Sequence, residues 1–438
     1  MYWLSKTIHR MRRFRVRLVL LLTILGPGII TMIADNDAGG ISTYAVTGSK
    51  YGFNLLWAFF ILVPMAYYIQ EMTVRLGAVT KRGHAEAIFD GFGPVWGWFS
   101  IIDLAIVNWL TLVTEYIGMT AAMSIFGVPP WITFAGVTLI LMAVVISGQY
   151  WTFEKVTLLF CGFNFVYIPA AFWAMKSGNA PAWSEVFKGF YSPSFPKGLT
   201  TDLLFIIMAN IGTTITPWQI FFQQSAVVDK GLDIKDVKYG KIDTFAGAFF
   251  TCLVAVFIII TTGAAFFYHH PPIGVEDAQQ TAEALVPLLP LGKGMWARAL
   301  FAIGLFDAGF LGALCISLST SWAVGEVFGW AHSLNKGVKD APWFYVVYFF
   351  CLASAGAVVL IPGAPLITIT MFVQVVAVTL LPAALMFLIL LLNDEDLMGE
   401  HRNTRWQNIA NWSITAFVII MSSVYGISVL FPGLFGQG

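Results

Sequence analysis

Two carboxylates, Asp35 and Asp37, and two glycines, Gly39 and Gly40, fall inside an apolar stretch running from Leu18 to Gly48. In hydrocarbon an unwound backbone leaves N–H and C=O groups unpaired at several kcal/mol each, so a break survives only where it lines an enclosed or watery cavity. A carboxylate near the bilayer centre costs roughly 2.5–3.5 kcal/mol on insertion scales. Both penalties fall on one short stretch. A cation site accounts for both, because carbonyls freed by the break and the acidic side chains can converge on one positive ion. A second irregular stretch, Ala209 to Gln219, replaces its apolar pattern with Asn210, Gly212, Thr213, Thr214, Thr216 and Pro217. Pro217 has no N–H to donate, so the helical ladder breaks there as well. Two further carboxylates, Glu115 and Asp307, lie deep in other apolar stretches and are candidates to face a cavity. The intramembrane hydrolase class is excluded: neither a nucleophile with its base nor a His-rich metal site is present.

These residues must be carried by membrane-spanning helices. The 438 residues are 58% hydrophobic and 11% charged, with a mean hydropathy of +0.78, far from the roughly 25% charge of soluble domains. Lys and Arg balance Asp and Glu at 24 each, which points to no nucleic-acid partner; the bilayer is the partner that the composition implies. Apolar stretches predict eleven spans, at about 18–49, 54–77, 95–126, 130–148, 155–176, 201–228, 244–268, 296–329, 343–361, 366–392 and 408–431. With the N-terminus inside, eighteen of the 24 Lys and Arg fall on the inner side and six on the outer, a bias that predicts N-in, C-out. Broken spans one and six, five apart, predict an all-α membrane protein of two inverted five-helix repeats, about 18–176 and 201–392. The helix at about 408–431 is then an addition, and the whole chain is a single transporter domain.

The motifs Gly26-Pro27-Gly28, Asp37-Ala38-Gly39-Gly40, Gly48-Ser49-Lys50-Tyr51-Gly52 and Gln70-Glu71-Met72-Thr73-Val74-Arg75-Leu76-Gly77 are similar to those of the Nramp divalent-metal transporters, as is Leu397-Met398-Gly399. The resemblance spans most of the chain and implies a LeuT-type fold. It places Asp37 on the family's metal-binding aspartate, and Ala34 and Thr213 where backbone carbonyls face the metal. Gln374 matches a glutamine near the ion. Departures fall at the site itself. Gly40 stands for an asparagine ligand, Thr216 for a methionine, Trp218 for a histidine and Leu112 for an aspartate tied to proton movement, while a glutamate is kept as Glu115. Together these changes resemble the Nramp-related magnesium transporters.

The chemistry of the donors agrees, since hard Mg²⁺ prefers oxygen and dehydrates reluctantly, whereas a thioether favours softer metals. The sequence therefore predicts Mg²⁺ uptake across the plasma membrane by alternating access, with Mn²⁺ a further cargo and no proton coupling. The ion is held largely hydrated near Asp37, with Asp35, Glu115, Ala34, Gly40, Thr213, Thr216 and Gln374 around it. No cofactor is implied, and a monomer is the default. The alternatives are a proton-coupled Mn²⁺/Fe²⁺ transporter, an amino-acid carrier of the same architecture and a metal-sensing receptor on a transporter fold. Cys161, Cys252, Cys315 and Cys351 read as buried free thiols, His269-His270-Pro271-Pro272 as an external loop and Asp229 to Asp243 as a solvated linker. The arginine-rich N-terminus reads as retained, because no small-residue cleavage site follows it.

Overall fold

The computed structural model describes residues 26–146, 148–176, 180–195, 198–269, 273–275, 280–281, 294–362 and 366–431. The basic N-terminal cluster (Lys6 and Arg10 to Arg17), residues 18–25 of the first span, His270-Pro271-Pro272, Lys197 and Lys293 lie outside the described residues.

Glycine and proline set the helix boundaries. The first span is two helices, α1 (Pro27–Ile33) and α2 (Ala38–Tyr51), separated by the acidic stretch. Then follow α3 (Trp57–Thr80), the short α4 (His84–Phe92), α5 (Pro94–Ser124) and α6 (Pro130–Ile146). The fifth span joins α7 (Tyr150–Cys161) to α8 (Tyr167–Ala174) through a 3₁₀ segment, Phe163–Val166, and α9 (Trp183–Tyr191) follows it. The sixth span is α10 (Thr201–Thr214) and α11 (Pro217–Asp229), parted at Ile215 and Thr216, both extended. The remainder comprises α12 (Val237–Thr262), α13 (Gly294–Phe328), α14 (Pro342–Gly356), α15 (Leu366–Asn393), α16 (Glu395–Met398) and α17 (Arg405–Leu430).

Among the described residues, eight helices are long and apolar enough to cross a membrane, against eleven predicted spans. The difference has local causes. The first span is in two short pieces, α3 carries Gln70, Glu71 and Arg75, and α6 has only 17 residues. The most apolar window of the broken sixth span is 94% buried, whereas that of α17 is 22% buried. The sixth span is thus the centre of the bundle and α17 its periphery. Around that centre α10 packs on α2 and α15, and α11 on α3 and α13. The helix α12 lies along both halves of the first span, and α5 along α13.

The packing of α1 on α12 rests on missing side chains. A Cβ at Gly28 would lie 2.7 Å from the Thr244 backbone nitrogen, and one at Gly247 would lie 2.7 Å from the Gly28 carbonyl oxygen. The small residues let the two backbones meet. At that contact Asp243 accepts the N–H groups of Gly26 (3.1 Å), Gly28 (2.6 Å) and Ile29 (3.2 Å), donors that have no partner within α1. The predicted solvated linker is therefore corrected at both ends. Asp243 is buried, Asp229 accepts from the Leu334 N–H at 2.7 Å, and Lys230 is buried in an ion pair with Glu154 at 2.5 Å. A helix N-terminus attracts a carboxylate whatever its place in the chain. Asp243→Ala leaves three donors without their acceptor, and the two that are buried, on Gly26 and Gly28, each cost about 1–3 kcal/mol. The thermal unfolding midpoint in detergent is expected to fall by several degrees; an unchanged midpoint would show that those groups find other partners. Among the four cysteines, all free, Cys351 is half-buried rather than buried.

Candidate metal site

Each break frees a particular carbonyl. In an uninterrupted helix the Ala38 N–H would bond the Ala34 carbonyl four residues back. Here it donates to Glu115 Oε2 at 3.0 Å, so Ala38 leaves the Ala34 carbonyl free. In the sixth span the partner of the Thr213 carbonyl would be the nitrogen of residue 217, a proline with no hydrogen to give. Ala34 and Thr213, on different spans, have each lost the ladder donor to their carbonyl.

Asp37 is extended (φ −74°, ψ 179°) and caps α2, its Oδ1 accepting from the Gly40 N–H at 2.6 Å. Its Oδ2 is buried with no hydrogen-bond partner. The capping and ion-binding roles therefore use different oxygens of one carboxylate. Asp35 links the two breaks: its Oδ1 accepts from the Thr216 hydroxyl at 3.5 Å, and its Oδ2 has no partner. Gln219 closes the second break by accepting the Thr216 N–H at 3.0 Å. Glu115 reaches in from α5, its Oε2 accepting from the Ala38 N–H at 3.0 Å and its Oε1 from the Thr114 hydroxyl at 3.3 Å.

The remaining predicted residues close the walls. A Cβ at Gly40 would sit 2.7 Å from Thr213 Oγ1, a buried hydroxyl without a partner. Gln374 on α15 lies against Gly39, where a Cβ would come within 2.0 Å of its Nε2, and neither end of its amide is bonded. The structure thus brings Ala34, Asp35, Asp37, Gly40, Glu115, Thr213, Thr216 and Gln374 around one buried locus. Asp307 lies elsewhere, bonded to Asn164 on the fifth span. Trp218 is buried, its carbonyl accepting from the Ser319 hydroxyl at 3.0 Å.

Two further contributors are absent from the residues that the sequence singles out. Gly312 on α13 is a wall, since a Cβ there would lie 2.8 Å from the Glu115 carboxyl and 3.1 Å from Asp37 Cβ. Asn36 donates to the Thr251 carbonyl at 3.3 Å and keeps an unbonded, buried Oδ1. Its polarity was legible between the two aspartates, but its partner on α12 was not.

Asp35, Asp37 and Glu115 are fully buried, and none makes an ion pair among the described residues. Three buried carboxyls without an ion pair require either a cation or protons to offset their charge. Among the described residues, no three His, Cys, Asp or Glu side chains form a cluster that could hold a metal by themselves. A cation here would be met by carbonyls, hydroxyls, an amide and water in addition to the acids.

The sequence pattern described as natural resistance-associated macrophage protein-like matches residues 28–428. The chain belongs to the Nramp family. Its Nramp relatives include the divalent metal cation transporter MntH of Listeria innocua, 26% identical over 414 residues that cover 92% of this chain and 89% of that one. MntH of Klebsiella pneumoniae is 25% identical over 426 residues, covering 93% and 96%. Among solved structures, the Eremococcus coleocola manganese transporter superposes with a TM-score of 0.77 at 20% identity, covering 95% of this chain and 88% of that one. MhsT in complex with L-phenylalanine superposes at 0.62 and 15% identity, covering 94% and 98%. The fold of this chain is thus shared with a structure solved with an amino acid.

Proposed function

We propose that this Nramp chain is a divalent-metal transporter whose cargo binds between the broken spans, and that its donor set favours Mg²⁺. The carrying observation is the pocket of unpartnered oxygens, Asp35 Oδ2, Asp37 Oδ2, Thr213 Oγ1 and the Gln374 amide, at the two helix breaks. Every donor in that set is hard, and a Mg²⁺ ion keeping several waters suits hydroxyl and amide partners. On this reading Asp37 and Glu115 attract the ion, and Thr213, Thr216 and Gln374 bond its hydration shell. The chain works in the plasma membrane, N-terminus inside, its two breaks belonging to two inverted repeats. A cytoplasm-negative potential of 100 mV adds about 4.6 kcal/mol for a divalent ion, enough to drive uptake without proton coupling.

A second reading, proton-coupled Mn²⁺ transport, is the one that the comparisons favour. The similar proteins are named divalent metal cation transporters, a solved one is a manganese transporter, and none of those reported above is named for magnesium. Uptake into proteoliposomes under a negative-inside potential separates the two. Mg²⁺ influx with constant internal pH is expected on the first reading. Mn²⁺ influx with acidification and no Mg²⁺ influx would replace it with the second.

A further inference from the structure

Away from the site just described, the fifth and eighth spans enclose a second polar locus. Asp307 on α13 is 2% exposed and makes no ion pair among the described residues. Its Oδ2 accepts from Asn164 Nδ2 at 3.0 Å, and its Oδ1 has no partner. Asn164 Oδ1 and the Tyr167 hydroxyl are likewise buried and unpartnered. Asn164 and Tyr167 are three residues apart on one span, and Gly304 and Asp307 are three apart on the other, so both pairs lie along a helical face. The faces meet: a Cβ at Gly304 would lie 2.7 Å from the Tyr167 hydroxyl. Asn164 also sits within the 3₁₀ segment Phe163–Val166, where the carbonyl ladder of the fifth span is irregular.

We propose that Asp307, Asn164 and Tyr167 form a second cation site, for a monovalent ion of the Na⁺ class. Two of the three unpartnered oxygens, on Asp307 and Asn164, are pure acceptors and cannot bond each other. A proton on Asp307 Oδ1 would neutralise the acid and could be donated to the Asn164 amide oxygen, but it leaves the Tyr167 phenol oxygen without a partner, whereas one cation engages all three. The single carboxylate sets the charge. A monovalent ion leaves the locus neutral, while a divalent ion would leave an uncompensated positive charge in the bundle. All three donors are oxygens, which suits a hard alkali cation. The inference is independent of which divalent ion the chain carries.

The test is the thermal unfolding midpoint of the purified full-length protein in detergent, with NaCl replacing N-methyl-D-glucamine chloride at constant ionic strength. Wild type is expected to gain about 2 °C or more between 1 and 150 mM Na⁺. Asp37→Ala should keep that gain, and Asp307→Asn should lose it. Asn164→Ala, which retains the carboxylate, should shift the midpoint to at least tenfold higher Na⁺. A wild-type midpoint indifferent to Na⁺ would overturn the proposal. So would a midpoint that follows pH alone, which would put a proton on Asp307, or a full Na⁺ response in both Asp307→Asn and Asn164→Ala.

Discussion

Asp37→Ala is expected to reduce divalent-metal uptake at least 100-fold while the protein still folds. The carboxylate has two separable duties, and the argument turns on which of them is lost. Oδ1 caps α2 through the Gly40 N–H, an interaction typically worth about 1 kcal/mol. Oδ2 is the buried oxygen without a partner. Removing the cap weakens one helix start in a bundle whose central spans are extensively buried, so the fold is retained. Removing the charge takes away the acid nearest Glu115 at the junction of both breaks. Asp37→Asn distinguishes the duties, because the amide keeps a capping oxygen and nearly the same volume but no charge. Its uptake should fall as far as that of the alanine variant, with a smaller loss of thermal midpoint. Wild-type uptake by Asp37→Asn would refute the proposed site.

The second large effect concerns ion choice. Gly40→Asn with Thr216→Met would reinstate the two side chains expected from the family resemblance, but the structure shows why this pair alone is insufficient. A Cβ at Gly40 falls 2.7 Å from Thr213 Oγ1 and 3.1 Å from the Asp35 carbonyl oxygen. Thr213 therefore fills the space that an asparagine would need, and its β-branched side chain has little freedom to move aside. Adding Thr213→Ala removes the closest of these contacts and leaves the Asp35 carbonyl a few tenths of an ångström to give. The triple variant should move the Mn²⁺/Mg²⁺ uptake ratio toward Mn²⁺ at least tenfold, about 1.4 kcal/mol, because a thioether then faces the ion. Gly40→Asn alone should lose uptake of both ions. An unchanged ratio in a folded triple variant would place selectivity outside these three positions.

The breaks were legible because their chemistry is local. Pro217 cannot complete a ladder, and acids beside glycines in an apolar run announce an interruption without knowledge of any other helix. The expectation that Glu115 and Gln374 share a locus comes from the family resemblance; in the structure Glu115 accepts from the Ala38 N–H and Gln374 lies against Gly39. Contacts between distant stretches were not legible. Asp243 sits among alternating Lys and Asp, a pattern that reads as solvated, and only the position of α1 shows why it is buried. Asp307, like Glu115, lies deep in an apolar stretch, which suggests a place facing a cavity. Its partner Asn164 lies 143 residues away, and nothing in the periodicity of either span indicates that pairing. Gly312 was invisible for a simpler reason: a glycine inside an apolar helix says that something is close, not what.

Gly39, Gly40 and Gly312 share a property that bears on where the donors stand. Each presents a bare Cα where a methyl group would meet the Gln374 amide, the Thr213 hydroxyl or the Glu115 carboxyl, at 2.0, 2.7 and 2.8 Å. Those separations leave no room for one added carbon, so the three glycines act as spacers that set the positions of the oxygens around them. Alanine at any one of them pushes its neighbour out of place, and the geometry offered to an ion changes with it.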